Sequence, residues 1–163
     1  MIAITLNKLK KTEIMGNYTD KLGNRLNDLL EKNYDAEKGF KKASENAKHA
    51  GLKSYFSNKA KERYNYGHQL KSELQGFGQE PEKGGSVTGA AHRTWMEVKS
   101  WFSTDDDEAM LEEAIRGEKA SVKEYKEVLS ETALPSSTKQ LLEQQKSEIE
   151  RGLDNIKRLE DLS

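Results

Sequence analysis

Glu118 lies in the stretch Ala114–Tyr125, AIRGEKASVKEY, and its companions on the same helical stripe are Leu111, Ala114, Ile115, Val122, Tyr125 and Leu129. Leaving a carboxylate bare in an apolar stripe costs several kcal/mol, so Glu118 must be protonated, paired with a cation or bound to a metal. A second charge occupies the seam in the stripe Leu52, Phe56, Ala60, Arg63, Gly67, Leu70, Leu74, Phe77. Asn33 and Glu37 interrupt the stripe that begins Leu22, Leu26, Leu29, Leu30, and Gln145 interrupts Leu142, Ile149, Gly152, Ile156, Leu159. Counted from the tight turns near Gly51 and Leu134, these positions fall within about one helical turn of a common level at ~1.5 Å per residue. The predicted polar core layer is therefore Asn33, Glu37, Arg63, Glu118 and Gln145.

Two chemistries fit such a layer. In the first, Glu118 and Arg63 form a buried ion pair completed by Asn33 and Gln145, a device for conformational specificity more than for stability. In the second, Glu118 binds a metal together with Glu62, Glu148 and Asp35, with Glu37 an alternative to Asp35. A carboxylate-bridged dimetal centre in a helix bundle asks for a Glu on each of two helices and Glu-x-x-His on each of the other two. Glu62 is followed three residues on by Asn65, and Glu148 by Arg151, so both histidines are missing. Arg63 also brings positive charge to where a cation would sit. A complete two-metal site does not assemble, and a single carboxylate-held metal stands as the alternative.

Five helices must position these groups, over about residues 20–49, 52–77, 87–102, 106–132 and 136–162. Thr19 or Asp20 is the expected cap of the first, Gly51 its end, and His49 an answer to its carboxyl-terminal dipole. Gly67 in mid-helix disfavours the helix by roughly 1 kcal/mol relative to alanine, which implies a close or bulky neighbour across the seam. The second helix should stop at Gly76-Phe77-Gly78, before Pro81. A long connection follows, with a short helix 87–102 carrying Val87, Ala91, Trp95, Val98 and Phe102 on its apolar side. His92, Arg93 and Trp95 are read as its docking contacts, with Trp101 a second anchor. A crossover of this length lets the next helix run parallel to the one before it. Ser103 or Thr104 should cap that helix, and Asp105–Asp107 favour its positive end. The calcium reading of the three aspartates lacks the spaced ligands and glycine of an EF-hand loop. Ala133-Leu134-Pro135-Ser136-Ser137 is a tight turn into the last helix.

The 163 residues bound one domain, 19–163, preceded by a tail 1–18, of which 1–14 precede a second methionine at Met15-Gly16. Only 34% of residues are hydrophobic and 34% charged, a ratio that suits long amphipathic helices with narrow apolar stripes. With 27 basic and 28 acidic residues and no block of one sign, no basic face for nucleic acid or membrane is evident. No run approaches the roughly 18–20 apolar residues of a membrane span. The opening MIAITLNKLKK alternates where a signal peptide would be continuously apolar, so a cytoplasmic, bacterial-type protein is expected. The absence of cysteine removes disulfides, thiolate metal sites and thiol catalysis.

The segments LNDLLEKNYDAEKGF, GSVTGAAHRTWMEVKSWF and LEEAIRGEKASVKEY, with the Leu-Pro that follows, resemble an uncharacterised bacterial family of ferritin-like four-helix-bundle proteins over about residues 23–160. More distantly, Ala114-Ile115-Arg116-Gly117-Glu118 is similar to the Ala-Ile-x-Gly-Glu of rubrerythrins, which supplies a metal-binding glutamate. The resemblance implies an all-α, up-down-down-up bundle of two hairpins joined by a long crossover with a short extra helix. It also implies an association with bacterial stress proteins. The absent histidines count against oxygen or peroxide chemistry. The favoured function is a non-enzymatic bundle protein, self-associating as a homo-oligomer (a dimer), with a buried polar layer in place of a dimetal centre and no cofactor. The alternative is an iron or other divalent-metal protein or oxidoreductase. A third reading is an adaptor that presents His92–Trp101 to a partner.

Overall fold

The computed structural model describes residues 2–81, 99–100, 105–131 and 133–162. The expected crossover helix 87–102, with His92, Arg93 and Trp95, lies outside the described residues except for 99–100. Four long helices are present among the described residues: α1 (Ile2–Asn46), α2 (Ala50–Gly76), α3 (Asp107–Leu129) and α4 (Ser136–Asn155). A 3-10 turn, Leu159–Leu162, closes the chain. α1 and α2 form one antiparallel hairpin and α3 and α4 the other. The start of α3 lies against the α1–α2 turn, so α2 and α3 run in the same direction and the order is up-down-down-up. The bundle is all-α, as its stripes require.

Several helix ends differ from expectation. α1 does not begin at a cap on Thr19 or Asp20. It is continuous from Ile2, and the Thr19 hydroxyl bonds back to the Met15 carbonyl at 2.9 Å, as a mid-helix threonine does. Ile2, Ile4, Leu6, Leu9, Ile14 and Met15 on this extension are exposed. α1 ends at Asn46, before the glycine expected to stop it. Gly51 instead belongs to the first turn of α2, where a side chain would run into the main-chain carbonyl of Leu162. His49 does not answer a carboxyl-terminal dipole: it is the N-cap of α2, its Nδ1 accepting from the Leu52 amide at 3.2 Å. The cap of α3 is Asp106, whose carboxylate accepts from the Ala109 amide at 3.2 Å. α4 stops at Asn155 short of the predicted 162, but Ile156, Leu159 and Leu162 still pack on the core after the chain turns. At the other end of the bundle, α2 closes as its glycines imply, with Gly78 at φ 68° and the Gln79 amide donating to the Leu74 carbonyl at 3.0 Å.

The core has two parts. Leu22–Leu30 of α1, Tyr66–Leu74 of α2 and Val122–Val128 of α3 contribute to one, together with Leu142 and Ile149 of α4. Phe40–Ala47, Leu52–Ala60 and Met110–Ala114 build the other. Along α1, α2 and α3 the predicted polar positions fall in the gap between them. Gly67 faces Tyr34, whose ring would lie 3.4 Å from an added Cβ, which is the bulky neighbour its sequence position implied.

The two hairpins are tied at the α1–α2 turn by Asp107. Its carboxylate accepts from the Lys48 amide at 3.0 and 3.2 Å and from the His49 amide at 2.6 Å, satisfying donors that no helix supplies with carbonyls. Asp107→Ala should lower unfolding stability by about 1–2 kcal/mol, the range for losing a capping carboxylate, read as a shifted urea midpoint at unchanged helicity.

Candidate functional site: a charged layer in the bundle core

Arg63 is 1% exposed and reaches across the seam. Its Nη2 donates to Glu118 Oε1 at 2.5 Å and its Nη1 to Asn33 Oδ1 at 3.0 Å. Asn33 is held in turn, because its Nδ2 donates to the Leu29 carbonyl at 2.8 Å and to the Tyr125 hydroxyl at 3.0 Å. Tyr125 donates to Gln145 Oε1 at 2.7 Å, and Gln145 Nε2 donates to Gln69 Oε1 at 2.9 Å. One chain of hydrogen bonds thus passes from α3 through α2, α1 and α3 again to α4 and back to α2. Burial alone would lower the guanidinium's affinity for its proton, and the Glu118 carboxylate more than reverses this, so Arg63 stays charged.

A second cation joins Glu118 from the same helix. Lys59 Nζ lies 2.8 Å from Glu62 Oε2 and 3.5 Å from Glu118 Oε2. Two carboxylates therefore meet two side-chain cations, and the local charge closes to zero. Glu148 lies apart from this quartet: its Oε2 accepts from the Tyr66 hydroxyl at 2.6 Å and its Oε1 from Gln144 at 3.1 Å. Burial, followed by the hydrogen bond to Glu148, raises the Tyr66 phenol. The Tyr125 phenol is pushed up to about 12, chiefly by burial and against the pull of Arg63. Tyr55 is also raised, first by burial and next by the charge of Glu118.

Asn33, Arg63, Glu118 and Gln145 are thus brought together. Glu37 is engaged elsewhere, accepting from Lys41 Nζ at 2.5 Å one turn along α1. Asp35 is buried, its Oδ1 has no hydrogen-bond partner, and desolvation raises its carboxyl against the opposing charge of Lys38. Of the four carboxylates considered as metal ligands, Glu62 and Glu118 converge on Lys59, Glu148 binds Tyr66, and Asp35 faces a different environment. Among the described residues no group of three or more His, Asp or Glu is placed to hold a metal ion. The residues present do not fit a dimetal centre: ammonium and guanidinium groups are seated between its carboxylates, and Asn65 and Arg151 stand at the histidine positions.

Tyr125 counted as apolar in the stripe, yet its hydroxyl is the middle link of the network. Lys59 and Gln69 flank their stripe and look like solvated surface in one dimension. The signals were present in spacing: Lys59 is one turn before Arg63 and three residues before Glu62, and Gly152 on α4 leaves the room that its ammonium fills.

Two outcomes test this electrostatic account. Arg63→Leu should reduce stability by about 3–5 kcal/mol, because it strands a buried carboxylate, measured by denaturant unfolding. Tyr125 binds its proton more tightly folded than unfolded, where a tyrosine titrates near ~10. Its contribution is therefore present in full below pH ~10 and is lost as pH rises towards the folded value of about 12. Urea midpoints taken from pH 8 upward should fall beyond ~10, and Tyr125→Phe should make that fall shallower.

Residues 21–131 match the family model of a domain of unknown function, DUF2383. No functionally curated protein matches the chain in sequence. Among solved structures, the fold is similar to a dodecameric thioferritin of the bacterial domain, the bacterioferritin-related protein from Bacteroides fragilis. That similarity has a TM-score of 0.64 at 15% identity and covers 83% of this chain and 82% of the other. The chain therefore belongs to the DUF2383 family, a domain of unknown function that here takes a ferritin-like fold.

Proposed function

We propose that this protein is a non-enzymatic ferritin-like bundle in which side-chain cations replace a dimetal centre, and which acts as a self-associating structural unit. The observation that carries the reading is the Arg63–Glu118 pair. A guanidinium bonded at 2.5 Å to a carboxylate 2% exposed satisfies the charge that a metal would otherwise answer. Lys59 does the same for Glu62. Homo-oligomer formation, as a dimer or a larger assembly, is supported by the structural neighbour, which is dodecameric. No described helix is long and apolar enough to cross a membrane; the setting proposed is cytoplasmic. A stress-associated role rests on the family resemblance alone.

The discriminating measurement is elemental analysis after expression in medium replete in iron, manganese and zinc. The proposal expects no stoichiometric metal in the purified protein. Metal bound in whole-number ratio to the chain, and lost on Glu118→Ala, would instead establish the alternative, a carboxylate-bound metal protein using Glu118, Glu62 and Glu148 with Asp35 or Glu37. Sedimentation velocity on the same sample reads the assembly state, and a concentration-independent monomer would remove self-association from the proposal.

A further inference from the structure

Resting on the self-association just proposed, we infer that residues 2–18 of α1 are the assembly element, and that the same segment of at least two further copies of this chain covers them. The first buried residue of α1 is Leu22. The helix before it reaches about 30 Å beyond the bundle at ~1.5 Å per residue. It carries every exposed large apolar side chain among the described residues except Tyr64. A lone helix of this length is marginal in water, and Gly16 weakens it further. Its apolar side chains fall on two faces. At about 100° per residue, Tyr18, Met15 and Ile4 continue the core stripe of Leu22 and Leu26, while Ile2, Leu6 and Leu9 lie on the opposite side. Along the first face a notch of about 160 Å³ opens at the root, lined by Tyr18, Leu22, Ala133 and Leu134, where Lys21 and Arg25 are both paired with Glu131.

Charge and area select the occupant. A helix lying on a lipid surface keeps one face polar and the other apolar. Here Lys8 and Lys11 fall in the stripe of Ile4 and Met15, and Glu13 falls in the stripe of Leu6 and Leu9, so neither side is purely polar. The two faces are complementary to each other instead, lysines on one and a carboxylate on the other. The first face of one copy therefore fits the second face of the next. A contact between unlike faces is heterologous, and it closes only with three or more copies. Area points the same way. A helix-on-helix strip ~30 Å by ~10 Å covers roughly 600 Å² counted on both partners, against the ~1,200 Å² of a stable interface. Covering both faces of each extension doubles what every chain contributes. An extension apolar on two sides is thus a helix built to be flanked on both.

The test reads the mass of the full chain by light scattering after size exclusion. Circular dichroism checks the fold, which the variants should leave intact because every altered side chain is exposed in the single chain. The wild type is expected at more than twice the chain mass. Glu13→Lys, which leaves lysines on both faces, should at least halve that mass. Adding Lys8→Glu and Lys11→Glu in the same chain reverses both faces and should restore it. Leu6→Lys with Leu9→Lys should dissociate the assembly without rescue. A wild-type dimer overturns the inference and leaves self-association standing. So does an assembly that keeps its mass in Glu13→Lys or in the double leucine variant, or a charge reversal that restores nothing. A wild-type monomer overturns both readings, and its sedimentation with phosphatidylglycerol vesicles would assign the extension to a lipid surface.

Discussion

A guanidinium with 1% of its surface exposed cannot draw on water, so the partners of its two terminal nitrogens come from other helices, while its Nε is buried with no hydrogen-bond partner. Arg63 sets that demand for the whole bundle. Glu118 answers its charge, and Asn33 answers a second donor but must itself be oriented by the Leu29 carbonyl and Tyr125. Tyr125 then needs an acceptor, which Gln145 provides, and Gln145 needs one from Gln69. The sequence of each helix near its middle follows from this obligation. A leucine at 33 or 145 would pack well enough and leave a buried donor or acceptor without a partner.

The layer contributes specificity more than net stability. Taking two charges out of water offsets most of what their attraction returns, and an apolar layer of equal volume often serves as well or better. What the apolar layer lacks is direction. Stripes of leucine accept several rotational and axial settings, while a bidirectional chain of donors and acceptors accepts one. Its position between two apolar clusters lets the clusters supply the burial and the layer select the arrangement.

Much of this was legible in one dimension, for a specific reason. A polar residue inside an apolar stripe of period near 3.6 stands out against its neighbours, and Arg63, Glu118, Asn33 and Gln145 were all found that way. Residues beside the stripe were not. Lys59 reads as solvated because long charged side chains at stripe edges usually snorkel, yet it turns inward to Glu62 and Glu118, into space that a side chain on Gly152 would occupy. Glu37 failed in the opposite sense: it holds a seam position, but Lys41 one turn away is a nearer partner than any across the bundle. Helix starts were misplaced where a polar residue had two uses. Thr19 bonds within a continuing helix, and the cap of α3 went to Asp106 among several residues equally able to cap.

A slide of one helical hairpin along the other by one turn would displace it by about 5.4 Å. Such a slip would carry Glu118 clear of Arg63. The buried pair opposes it, and Asp107 adds a second restraint, because its carboxylate holds two main-chain amides of the opposite hairpin at a point about 16 Å along the helix from Glu118. The two hairpins are thus held in register at two levels, by the charged layer in the core and by Asp107 at the rim.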